Sequence, residues 1–165
     1  MPLSRSGRLS IVAVALLAPL AWVFWPEGDE RAIKRRLNEL VEEANESSGE
    51  GLALVARAAQ LGSYFTSDVV VDLGSGTPIG GRETLVGLAS RFQPAAQGAV
   101  VGLADVVVAK RQGTDVADVA LTVTVTGVDA RTGDRTMDAR EFAVEMRKES
   151  GEWLIARASA VHTLK

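Results

Sequence analysis

Few residues in this chain have the type and spacing to do chemistry. Gly80-Gly81-Arg82 comes nearest to a ligand motif, because glycines ahead of a helix can present backbone amides to an anion. It lacks the Gly-Lys-Ser/Thr of a phosphate loop, so it reads as the start of a helix. Asp138 and Arg140 interrupt an alternating apolar pattern that leads to Phe142, which makes them candidates for the mouth of a pocket. Tyr64, Asp72 and His162 complete the set of side chains that could move a proton. General acid–base catalysis needs a base within hydrogen-bond reach of its proton partner, and no second acid is paired with Tyr64 by spacing. Asp72 precedes Gly74 and suits a turn at a strand end. Tyr64 suits a half-buried core aromatic. His162 is the single histidine, three residues from Lys165, and there is no cysteine. Zinc wants about three protein ligands even in an open site, so no metal and no cofactor is expected.

The elements that would position these residues follow from periodicity. From Asp29 to Glu46 the residues Ile33, Leu37, Leu40, Val41 and Ala44 recur at helical spacing, with Asp29 as N-cap. A second helix is expected over Leu52 to Phe65, with Leu52, Val55 and Ala59 on its apolar stripe. Val69 to Leu73 reads as a strand, and Gly74 to Pro78 as a turn. A third helix starts near Arg82 and carries Leu85, Leu88, Ala89 and Phe92. From Ala99 the period changes to two, and turns at Gln112-Gly113, Arg131 to Gly133 and Ser150-Gly151 divide the remainder into four strands. Val119, Leu121, Val123 and Val125 alternate with Ala120, Thr122, Thr124 and Thr126, so one face of that strand is apolar. Helices first and short-turned strands second give an α+β class.

The N-terminus carries an address. Leu9 to Trp25 is a run of seventeen uncharged residues, at the short end of the roughly 17–25 that span a bilayer as a helix. Arg5 and Arg8 precede it, while Glu27, Asp29 and Glu30 follow it. The positive flank is normally retained in the cytoplasm. The expected organisation is a cytoplasmic tail over 1–8, a transmembrane signal anchor over 9–25 and a domain over 26–165. The protein is then expected in the cell membrane with a single pass and its domain extracytoplasmic, periplasmic in a Gram-negative cell. A cleaved signal peptide is the rival, but Pro19 falls where the cleavage site of Ala18-Pro-Leu-Ala21 wants a small residue.

The domain has about 140 residues, enough for one core without cross-links. The formal net charge is only −3, from 18 basic and 21 acidic residues, and the basic residues are scattered. The electrostatic footprint of a nucleic-acid binder is missing, so nucleic acid is not expected as a partner.

Four segments carry a resemblance: Tyr64 to Leu73, Ile79-Gly-Gly-Arg-Glu-Thr-Leu85, Asp118 to Val123 and Arg147 to Ile155. In order and spacing the chain resembles the nuclear transport factor 2-like superfamily, which includes ketosteroid isomerases and polyketide cyclases. The resemblance implies a cone, a strongly bent antiparallel sheet wrapped around about three helices with a cavity inside. It implies a ligand pocket near Tyr64, Phe65, Asp72, Asp138, Arg140 and Phe142, and a homodimer through the outer sheet face, where Thr122, Thr124 and Thr126 lie. Isomerases of this kind use a carboxylate base with a tyrosine and a protonated acid in an apolar cavity, so Asp72 and Tyr64 are the catalytic candidates. The reading preferred here is a membrane-tethered, noncatalytic domain that binds a partner protein or a small apolar ligand. A tethered isomerase or cyclase using Asp72 and Tyr64 is the enzyme alternative. A structural subunit of an envelope or secretion assembly is the third reading.

Overall fold

The computed structural model describes residues 28–46, 52–74, 76–91, 98–128 and 132–161. Helix α1 (Asp29–Asn45) starts from Gly28, and Asp29 is its first residue where the sequence suggested the N-cap. The Asp29 side chain pairs with two lysines of the sheet from the first turn, and Gly28, which has no side chain to cap with, holds the N-cap position. Ile33 and Leu37, one turn apart, are the buried face. At roughly 1.5–3 kcal/mol per fully buried aliphatic side chain, they fix α1 to the sheet.

Helix α2 (Leu52–Gly62) is shorter than the sequence suggested, because Phe65 already belongs to strand β1 (Phe65–Asp72). The apolar stripe is also displaced. Leu52 and Val55 are exposed, while Ala58 and Gly62 are buried. The reason lies in helix α3 (Arg82–Ala89). A Cβ on Gly62 would stand 2.6 Å from Val86 Cγ2, so only the small-residue side of α2 can approach α3 so closely. Between the turn after β1 and the start of α3 runs a two-residue strand, β2 (Ile79–Gly80), so Gly80, read from the sequence as part of the helix start, pairs with β1 instead. Gly81 caps α3 with φ of 86°, a conformation that favours glycine, and its N–H donates to the Val69 carbonyl at 2.7 Å.

The remaining strands are β3 (Val100–Lys110), β4 (Val116–Val128), β5 (Arg135–Glu149) and β6 (Glu152–Ala160). The sheet order is β2-β1-β6-β5-β4-β3, with β1 and β6 parallel and all other pairs antiparallel. A bulge between Ala104 and Val107, with Asp105 at φ of 52°, bends β3 and shifts its alternation. Leu103 before the bulge and Val106 and Val108 after it therefore all pack on the core. The core joins Ile33 and Leu37 of α1 to Val69, Val119, Met146 and Trp153 of the sheet.

The two ends of the sheet differ. At the end formed by the β3–β4 and β5–β6 turns, Ala117, Met146 and Trp153 are buried and the fold is closed. At the other end Leu73, Val100, Val125, Val128, Met137 and Val161 are exposed. The proposed anchor, residues 9–25, lies outside the described residues. Among the described residues no helix is long and apolar enough to cross a membrane.

Candidate functional site

The bent sheet and α1 enclose a cavity of about 340 Å³. Helix α1 contributes Leu37, Leu40, Val41 and Ala44, one stripe at helical spacing. Strands β3 and β4 contribute Val101, Leu103, Leu121 and Val123, and β5 and β6 contribute Phe142, Val144, Ile155 and Ala158. Phe65 and Val71 of β1 and Leu85 of α3 complete it. The fifteen lining residues among those described are all aliphatic or aromatic. Leu37, Leu121, Val144 and Ile155 are buried at its base, whereas Val71, Val101, Val123 and Phe142 are only half-buried. The cavity thus opens toward the end of the sheet where β3 and β5 begin. There Asn45 bridges α1 to the free edge of β3. Its amide donates to the Val101 carbonyl at 2.7 Å and accepts from the Val101 N–H at 2.8 Å, which replaces a strand partner with a side chain.

Phe65 and Phe142 stand in the cavity wall; Tyr64, Asp72, Asp138 and Arg140 do not line it. Tyr64 is buried under Arg36, whose guanidinium lies 4.2 Å from the ring centroid. Burial pushes the Tyr64 phenol above its ordinary pKa. Arg36 also donates to the Ser63 carbonyl at 3.2 Å and reaches Glu152 at 3.4 Å. Asp72 accepts a 2.8 Å bond from the Gly74 N–H, the turn its sequence position suggested. Tyr64 and Asp72 flank β1 at opposite ends, separated by roughly 26 Å of extended chain at about 3.3 Å per residue. They do not meet, and no proton passes directly between them.

Asp138 and Arg140 are exposed and pair with each other at 3.4 Å. In the β4–β5 register Phe142 lies opposite Leu121, Arg140 opposite Val123 and Asp138 opposite Val125. Directly opposed residues share a face, so this pair continues the cavity wall outward past Phe142. His162 lies outside the described residues. Among those residues no group of three His, Cys, Asp or Glu side chains is placed to hold a metal. Arg82 begins α3 as expected, with its Nε buried and without a hydrogen-bond partner.

One polar cluster was not visible in the sequence. Asp29 pairs with Lys110, pairs with Lys148 at 3.0 Å and accepts from Trp153 Nε1 at 3.3 Å. The Lys110 and Lys148 ammonium groups hold its carboxyl down at a pKa of about 2. Only the fold brings together residues 81, 119 and 124 positions apart in the chain, so no local signal announced the cluster.

An α+β cone with an apolar cavity between one helix and the concave face of a bent sheet defines the class of protein. Residues 55–159 match the model of the SnoaL-like domain, and the chain belongs to that family; its fold is the cystatin-like fold of nuclear transport factor 2-like proteins. No curated protein matches the chain. Among solved structures it is similar to a nuclear transport factor 2-like protein with a cystatin-like fold from Novosphingobium aromaticivorans. That match has 16% identity and a TM-score of 0.64, covering 88% of this chain and 86% of that one. A protein from the same organism, provisionally described as a scytalone dehydratase, aligns at 14% identity and a TM-score of 0.63, covering 81% and 83%. A Catenulispora acidiphila protein in complex with S-DNPA aligns at 12% identity and a TM-score of 0.61, covering 79% and 90%.

Proposed function

We propose that this chain is a membrane-tethered, noncatalytic member of its family that binds a small apolar ligand on the extracytoplasmic side. The apolar lining that the described residues give the cavity carries the reading. Ligand sites are concave and mostly apolar, with volumes of about 300–1,000 Å³, and this cavity falls at the lower end. Catalysis would need a base or acid beside the bound molecule. Tyr64 and Asp72, the candidates for that work, are engaged elsewhere with Arg36 and Gly74. The Catenulispora acidiphila complex supports binding of a small molecule by the fold. The tether rests on the apolar run Leu9 to Trp25 and its flanking charges.

Native mass spectrometry of the full chain released from its own membrane tests the binding. The expected spectrum contains a small molecule that leaves on denaturation. Ala44→Trp and Val123→Trp, which fill the cavity from two different elements, are expected to lose that molecule while keeping a cooperative thermal transition. Retention of the molecule by both variants would place binding elsewhere on the protein.

A further inference from the structure

We infer that the ligand is a medium-length amphiphile, with a hydrocarbon portion of about ten to twelve carbons and a neutral hydrogen-bonding head group held by Arg140 and Asp138. This deepens the pocket reading above and rests on it. Size comes from the cavity. About 340 Å³ accommodates roughly eleven groups of water-like volume, near 30 Å³ each, and a methylene is of comparable size. Chemistry comes from the lining, because a polar group buried among fifteen apolar residues would lose its hydrogen bonds to water and gain none. Any polar group on the ligand therefore belongs at the mouth.

Among the described residues, β5 carries charge on that wall beyond Phe142 at Arg140 and Asp138. Arg140 is the next inward-facing position of β5 after Phe142, and Asp138 the next after Arg140. Their side chains are 59% and 68% exposed, so the head group would reach them without being buried itself. Arg140 Nε contacts Asp138 Oδ2, which leaves the two terminal nitrogens of the guanidinium as donors and the second carboxylate oxygen as acceptor. An anionic head would face Asp138 and a cationic head would face Arg140. A hydroxyl both donates and accepts, and matches the pair.

The four phenylalanines make a site-specific test. Full-length protein in phospholipid nanodiscs is labelled with 4-fluorophenylalanine, and each ¹⁹F resonance is assigned by Phe→Leu substitution. 1-Decanol, decane, sodium decanoate and 1-hexadecanol are added in turn. The expected result is that 1-decanol shifts Phe65 and Phe142, with decanoate and 1-hexadecanol weaker. Asp138→Ala and Arg140→Ala are each expected to weaken 1-decanol about tenfold and leave decane unchanged. The ¹⁹F spectrum of each variant without ligand shows whether it has folded. Equal effects of decane and 1-decanol, with no response to either substitution, would overturn the head-group assignment and leave the pocket standing. Tighter binding of decanoate would overturn its neutrality, and tighter binding of 1-hexadecanol its length. No shift at Phe65 or Phe142 with any probe would overturn the pocket reading itself.

Discussion

At the scale of single residues, Asp29 shows how a charge can hold a fold together from the first position of a helix. Its carboxylate meets two ammonium groups and an indole N–H, and it also sits where the partial positive charge of the α1 N-terminus favours an anion. The folded-state pKa of about 2 lies below the unfolded value near 3.8. The stabilisation is therefore present in full above about pH 4 and is lost as pH falls toward 2. The Asp29 side chain is 26% exposed, so water screens part of the interaction and its contribution is about 1 kcal/mol. Asp29→Asn is expected to lower stability by about that amount at pH 7 and to flatten the fall between pH 4 and 2, as measured by urea denaturation across that range. An unchanged acid limb would show that the lysines do not hold Asp29 ionised. The sequence revealed little of this, because Asp29 looked like a local cap and the partners that bind it come from β3, β5 and β6. Asp72 was legible for the opposite reason: its partner is two residues away.

Elements were legible where periodicity and burial coincide. The stripe Ile33, Leu37, Leu40, Val41 and Ala44 predicts α1 and the side of it that faces the sheet, since a long amphipathic helix has one way to bury its apolar face. The period-two pattern predicts β4 and the inner half of β5, and the turn residues predict their boundaries. Helix α2 was misread because hydrophobicity alone placed Leu52 and Val55 inside. Close packing decided otherwise, since Gly62 lets α2 lie against Val86 where a larger side would not fit. Gly62→Ala should therefore lower stability by about 1–2 kcal/mol, because overpacking outweighs the helix propensity gained from alanine. Val86→Ala in the same chain should recover most of the loss, and thermal melts of the two single variants and the double variant measure the coupling. Additive effects would mean that the two residues do not touch.

Across the whole molecule, the geometry of α1 relates the cavity to the proposed tether. Asp29 is held at the closed end of the fold, beside Lys110 and Lys148, while Asn45 is bonded to Val101 at the open end. The seventeen residues of α1 separate these points by about 25 Å at 1.5 Å per residue. Only Pro26 to Gly28 stand between Trp25 and Asp29. A bilayer anchor over Leu9 to Trp25 would thus hold the closed end near the headgroups and turn the cavity mouth away from that membrane. Ligand would then arrive from the aqueous side or from a carrier. The absence of cysteine makes this measurable, because a single introduced thiol is a unique label. Thr114→Cys marks the β3–β4 turn at the closed end, and Asp134→Cys marks the segment before β5 at the open end, both at exposed positions. A fluorophore at position 114 should be quenched by headgroup-spin-labelled lipid, and one at position 134 should not. The reverse pattern would point the mouth at the bilayer and make membrane lipid its immediate source of ligand. A chain that leaves the membrane fraction in carbonate would remove the tether, and with it any orientation, while leaving the cavity chemistry untouched.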